Sequence, residues 1–115
     1  MYYQKVMTMP FSSFKKITTK QLAEGVDLRA ISGDKMTMTL FSLSEGAAIP
    51  EHSHPHEQIG TILSGSMELI IGEEKKIVAT GDLWWIPSNV MHRGRCVEGP
   101  AEVLEVFSPV REDYA

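Results

Sequence analysis

Turn-forming residues recur roughly every 8–12 positions along this chain, a spacing that leaves room between them for short strands and little else. Residues 36–43 are rich in Thr and alternate large with small side chains, the pattern of a strand. Two apolar runs, 58–63 and 66–71, flank Ser64-Gly65, which reads as a hairpin turn. Residues 72–76 read as a second tight turn leading into a short strand over 76–79. An aromatic and apolar run at 83–86 stops at Pro87. Two more strands are expected at 91–97 and 101–107, with Glu98-Gly99-Pro100 turning between them. Only residues 18–24 hint at a helix, which Gly25 would end. Strands this short bury their apolar sides against one another, so the expected class is all-β, a sandwich or a barrel.

A chain of 115 residues is the size of one domain, here taken as residues 1–115. Such a domain holds one modest core, and small domains often gain stability by oligomerising. The formal net charge is −4 and no block of Lys or Arg occurs. Nucleic-acid and anionic-membrane binding therefore lack their electrostatic footprint. No apolar run approaches the length of a membrane span. An anionic ligand would need a local positive site, which a metal ion provides. Cys96 is the single cysteine, so an intrachain disulfide is excluded. The opening stretch MYYQKVMTMPFSSFKK lacks the apolar core of a signal peptide, and a cytoplasmic location is expected.

Histidine is scarce, with four in the sequence, and three are spaced to clamp one ion. Side chains at i and i+2 of a strand share a face, so His52 and His54 can bind as a pair. Pro50 and Pro55 bracket them and stiffen the approach. Gln58 follows after a short bend and can return its carbonyl oxygen to the same face. His92 would come from a neighbouring strand after the turn at 87–90. Three imidazoles and an amide oxygen suit a borderline divalent metal. All four ligands are neutral, so the ion would keep most of its charge and act as a Lewis acid. The bland alternative is a pair of wet loop histidines beside two prolines. His56 lies between the candidates, and its proline neighbour points to a surface or supporting role.

These residues sit in two strings that resemble the cupin motifs. The first is Gly46-AAIPE-His52-Ser-His54-PHE-Gln58-IGTILS-Gly65, spanning residues 46–65. The second is Gly81-DLWWI-Pro87-Ser-Asn89-VM-His92-RGR-Cys96, spanning residues 81–96. Gln58 stands where cupins usually carry glutamate, Asn89 where they carry glycine, and Cys96 where they carry asparagine. Asn also tolerates the left-handed turn conformation. The resemblance implies a single-domain cupin, a double-stranded β-helix or jelly-roll barrel, with a metal held in its mouth or lumen. It also implies a homodimer.

The strings HSHPHEQ, IPSNVMH and EVFSPVREDY are similar, more narrowly, to the pectin-degradation cupins of the KdgF type. That resemblance implies action on unsaturated uronates, opening the ring to a linear keto acid. It implies a metal held by three histidines and a glutamine, with which Gln58 agrees. Glu105 falls at the family's catalytic aspartate. Phe107 and Arg111 match the accompanying Phe and Arg, a substrate-binding pair in which Arg111 also serves catalysis.

Read on its own, the last strand supports an inward Glu105. Val103, Glu105 and Phe107 share one face, and a carboxylate between Val and Phe does not look solvated; the alternative is an edge strand with Glu105 in water. Arg111 can pair a carboxylate in bidentate fashion, or lie at the surface beside Glu112 and Asp113. Trp84 and Trp85 face opposite sides of their strand, and core packing is expected for both, the alternative being that one lines the pocket or forms an interface. Met36, Met38, Met67 and Met91 are expected in the core or pocket wall, and Cys96 as a small buried residue.

The function expected is thus that of a metal-dependent enzyme on a small, anionic, carboxylated sugar. Its divalent transition metal is open among Ni, Zn, Fe and Mn. The alternatives are a metal-dependent dioxygenase and a sugar- or ligand-binding protein without turnover.

Overall fold

Eight strands carry most of the chain in the structure, a computed structural model that describes residues 10–114. They are β1 (Lys20–Ala23), β2 (Val26–Ser32), β3 (Thr37–Leu43), β4 (Ala48–His52), β5 (Glu57–Ile71), β6 (Glu74–Ala79), β7 (Leu83–Ile86) and β8 (His92–Ser108). Short 3-10 turns lie at Phe14–Lys16 and Glu112–Tyr114. Residues 1–9 of the stretch read for a signal peptide fall outside the described residues. No helix among the described residues is long and apolar enough to cross a membrane. All pairing is antiparallel, in the order β1-β2-β3-β8-β5-β6, with β4 on β8 and β7 on β5. This is the all-β barrel architecture that the sequence led us to expect.

The two long strands close the barrel. The second half of β8 pairs with β3 and with the first half of β5, while its first half pairs with β4 and the second half of β5. Each strand therefore serves both walls. The expected hairpin turn at Ser64-Gly65 is a bend inside β5, and the expected turn at Glu98-Gly99-Pro100 is a bend inside β8. The pairing slips in register between Ile62 and Met67, opposite that second bend. Gly65 has φ +74°, and a Cβ there would sit 2.6 Å from the Glu98 carbonyl oxygen. Glycine here marks a bulge where two backbones nearly touch, not a chain reversal.

The helix expected at 18–24 is also corrected. Lys20–Ala23 within it form β1, and Gly25, at φ +74°, lies in the turn that leads back into β2. Ladder bonds to β2 override weak local helix preference. Strand β2 was not anticipated, although Val26, Leu28 and Ser32 are buried while Asp27 is exposed.

Val26, Leu28, Phe41, Leu43, Ile62 and Val103 pack between the walls. Cys96 is wholly buried there, and burial raises its thiol pKa, as suits an inert small side chain. Met67 is in the core, whereas Met36, Met38 and Met91 are exposed, which corrects the expectation for those three. Trp84 is buried and Trp85 is 57% exposed, its indole donating to Glu57 at 2.8 Å. Strict alternation on β7 sends the two rings apart, so only one reaches the core.

Candidate metal centre

His52 ends β4 and His92 begins β8, and the two are direct cross-strand partners. His54 follows in the loop after β4. The Asn89 amide donates to the His54 carbonyl at 2.8 Å, tying the loop before His92 to the loop that carries His54. Asn89 holds φ 66°, the left-handed conformation expected of a residue in a glycine position. The ring centroids lie 5.4 Å (His52–His54), 4.2 Å (His52–His92) and 5.0 Å (His54–His92) apart. One ligand nitrogen from each lies within 4.8 Å of the others.

Backbone carbonyls fix all three tautomers. His52 Nδ1 meets Pro50 O, His54 Nδ1 meets His56 O and His92 Nδ1 meets Val90 O, each at 2.9 Å. A carbonyl only accepts, so each Nδ1 carries the proton and each Nε2 presents a lone pair. Burial pushes the His92 pKa down to about 4, and burial with the Arg111 charge lowers that of His54. Both rings are therefore neutral, the form that binds metal. His54 Nε2 is buried with no hydrogen-bond partner.

The fourth candidate ligand is held from the side. Gln58 is buried on the inner face of β5, and its Nε2 donates to Glu105 Oε2 at 2.6 Å. That leaves Gln58 Oε1 buried and without a partner. Orphaned acceptors of this kind are costly unless something satisfies them. Three lone-pair nitrogens and an unsatisfied amide oxygen fit a divalent cation of the borderline class. Among the described residues, His52, His92 and Gln58 line one cavity of about 570 Å³, open mouth included, together with Glu105, Phe107 and Arg111.

Glu105 points inward, only 8% exposed, with Trp84 Nε1 donating to the same Oε2 at 3.0 Å. Burial raises its pKa, opposed by the hydrogen bonds from Trp84 and Gln58 and the charge of Arg111. Arg111 is 7% exposed. Its guanidinium carbon sits 4.0 Å from the Tyr114 ring centroid and 4.8 Å from that of Phe107. The fork expected to take a carboxylate already holds one: Nε and Nη2 donate to Asp113 at 3.0 and 2.7 Å. Nη1 is buried and unpaired, so a second carboxylate would meet that single nitrogen. His56 lies outside the cluster of three histidines but packs edge-on against His54 at 5.5 Å between centroids, its Nε2 on Val110 O at 3.2 Å.

Sequence reasoning missed Tyr114, which lines the cavity and packs edge-on against Phe41 and Phe107. It also missed the bond between Trp84 and Glu105. No spacing rule signals either, because both depend on which strands become neighbours.

A family model described as Cupin domain matches residues 39–107. The pectin degradation protein KdgF of Dickeya dadantii (strain 3937) is 32% identical over 97 residues, covering 83% of this chain and 88% of that protein. The solved structure of KdgF from Halomonas sp. superposes with a TM-score of 0.87 at 24% identity, covering 94% of this chain and all of that one (100%). A variant of Bacillus subtilis oxalate decarboxylase gives a TM-score of 0.77 at 26% identity, covering 85% of this chain but 29% of that chain.

Proposed function

The chain belongs to the cupin family, and from that premise we propose that it is a metal-dependent enzyme that opens the ring of unsaturated uronates. The observation that carries this reading is the pairing of Gln58 with Glu105 in a cavity that His52 and His92 also line, with His54 completing a cluster of three imidazoles. Its likeness to a pectin degradation protein supports an acidic sugar as substrate. His52, His54, His92 and Gln58 would hold one divalent transition metal ion. When bound, the ion supplies Lewis-acid polarisation of substrate oxygens.

The chain's own residues supply the rest. Arg111 Nη1 receives the sugar carboxylate, and stacking on Phe107 and Tyr114 keeps the guanidinium in place. Phe107 packs against the sugar. Glu105 moves the proton: the hemiacetal hydroxyl loses one as the ring C–O bond breaks, and the enol carbon gains one as the ketone forms. No oxidant is consumed. Burial raises the pKa of this carboxyl, which favours its taking up and then returning that proton.

The active form is a homodimer. The outer faces of β5 and β7 expose Ile59, Leu63, Leu83 and Trp85 on adjacent strands, an apolar face of the kind a second copy covers. Mixing metal-loaded protein with unsaturated galacturonate and following ultraviolet absorbance, with the product identified by NMR, tests the activity. Acceleration to the linear keto acid is expected, and decay no faster than the spontaneous rate contradicts it.

A further inference from the structure

Thr39, Glu105, Gly60 and Trp84 are successive cross-strand partners on β3, β8, β5 and β7. They form one lateral row on the inner wall. Two of the four are small, which makes room for the other two to meet. A Cβ at Gly60 would sit 2.5 Å from the Trp84 ring, so the indole lies flat across the backbone of β5 only because residue 60 has no side chain. Its N–H thereby reaches Glu105 on the far side of that strand.

An indole N–H donates and never accepts, so the oxygen it touches must be an acceptor. Glu105 Oε2 is that oxygen, and it also receives Gln58 Nε2. The Gln58 amide can sit there only with its NH2 toward Glu105. Turned over, it would set oxygen against oxygen and aim N–H donors into the cavity that His52 and His92 also line.

We propose that Trp84 is a positioning residue that, through Glu105, locks the Gln58 amide with its carbonyl oxygen facing His52, His54 and His92. The proposal rests on the reading of these four side chains as a metal centre. Oriented supports of this type commonly set metal affinity although they never touch the ion. Trp84 is thus distinct from the core tryptophan that packing alone would explain.

Co²⁺ titration of the metal-free protein, followed by calorimetry and by the visible spectrum of the bound ion, tests it. Trp84→Phe keeps the bulk of the ring and deletes the N–H. It is expected to weaken Co²⁺ binding by about 10–100-fold and to alter the spectrum. A carboxylate has an oxygen at either end and needs no aiming. In a Gln58→Glu background, therefore, Trp84→Phe should weaken binding by less than about threefold, a coupling that a double-mutant cycle isolates. Equal losses in the two backgrounds would mean that Trp84 acts through packing alone and overturn the proposal. So would unweakened binding by Trp84→Phe in the Gln58 protein, with the metal-centre reading left standing. Failure of the unsubstituted protein to bind Co²⁺ would overturn both.

Discussion

At the scale of single residues, the site is defined by atoms that lack partners. Gln58 Oε1 and Arg111 Nη1, on residues that line one cavity, are buried and unsatisfied, as is His54 Nε2 in the histidine cluster. Their neighbours are already satisfied in ways that force this outcome: three carbonyls on Nδ1 atoms, Glu105 on the Gln58 amide, Asp113 on the guanidinium fork. The low pKa of His92 gives a pH dependence with a definite sign. Unfolded, this histidine protonates below its ordinary value of 6.5; folded, it stays neutral down to about 4. The unfolded state therefore binds more protons between those values, and stability of the metal-free protein falls as pH drops through that window. Urea titrations at a series of pH values should show this fall, and His92→Asn should flatten it. Arg111→Lys keeps the charge but loses the planar stack and the paired hydrogen bonds to Asp113. It is expected to raise KM for an unsaturated uronate roughly tenfold or more, read from steady-state kinetics.

At the scale of elements, β5 and β8 decide the fold because each crosses both walls. Their bends depend on Gly65, whose φ of +74° and 2.6 Å approach to Glu98 O leave no place for a side chain. Gly65→Ala should destabilise the protein by more than ~1 kcal/mol through backbone strain and contact together, measured by urea unfolding. Ile62→Ala, beside the bend and fully buried, should cost about 2–5 kcal/mol through the cavity it leaves. These bends also show where sequence reading stops. Glycine announces unusual backbone, and the same letter serves a hairpin at Gly25 and a bulge at Gly65. Which it is depends on the long-range partner, here β8, that local pattern cannot reveal. Inward residues of β8 were legible because alternation is local: Val103, Glu105 and Phe107 were read onto one face and lie there buried. The histidine set was legible from its spacing in one short motif, although His54 lies in the loop beyond β4 and not on the strand face that alternation predicted. Trp84 was legible as buried but not as a partner of Glu105, because that bond spans β7, β5 and β8.

At the scale of the whole molecule, the barrel is a rigid frame with a polar cluster set on its inner wall. Buried polar atoms left open are costly, so the frame should gain stability when a cation satisfies them. Chelation of the metal-loaded protein should lower Tm, and stoichiometric divalent metal should restore it, as calorimetry would show. The outer apolar face carries a second expectation. Trp85→Arg, at an exposed position away from the cavity, should shift the protein from dimer to monomer in sedimentation analysis without changing metal binding.

Metal occupancy and turnover are read together in one titration. Metal-free protein is given increasing divalent metal while the initial rate of loss of unsaturated galacturonate absorbance is recorded. The rate is expected to rise linearly and saturate at one equivalent of ion per chain, and to stay near the spontaneous value throughout for Glu105→Ala. A rate indifferent to metal, or undiminished in Glu105→Ala, would contradict the proposed function.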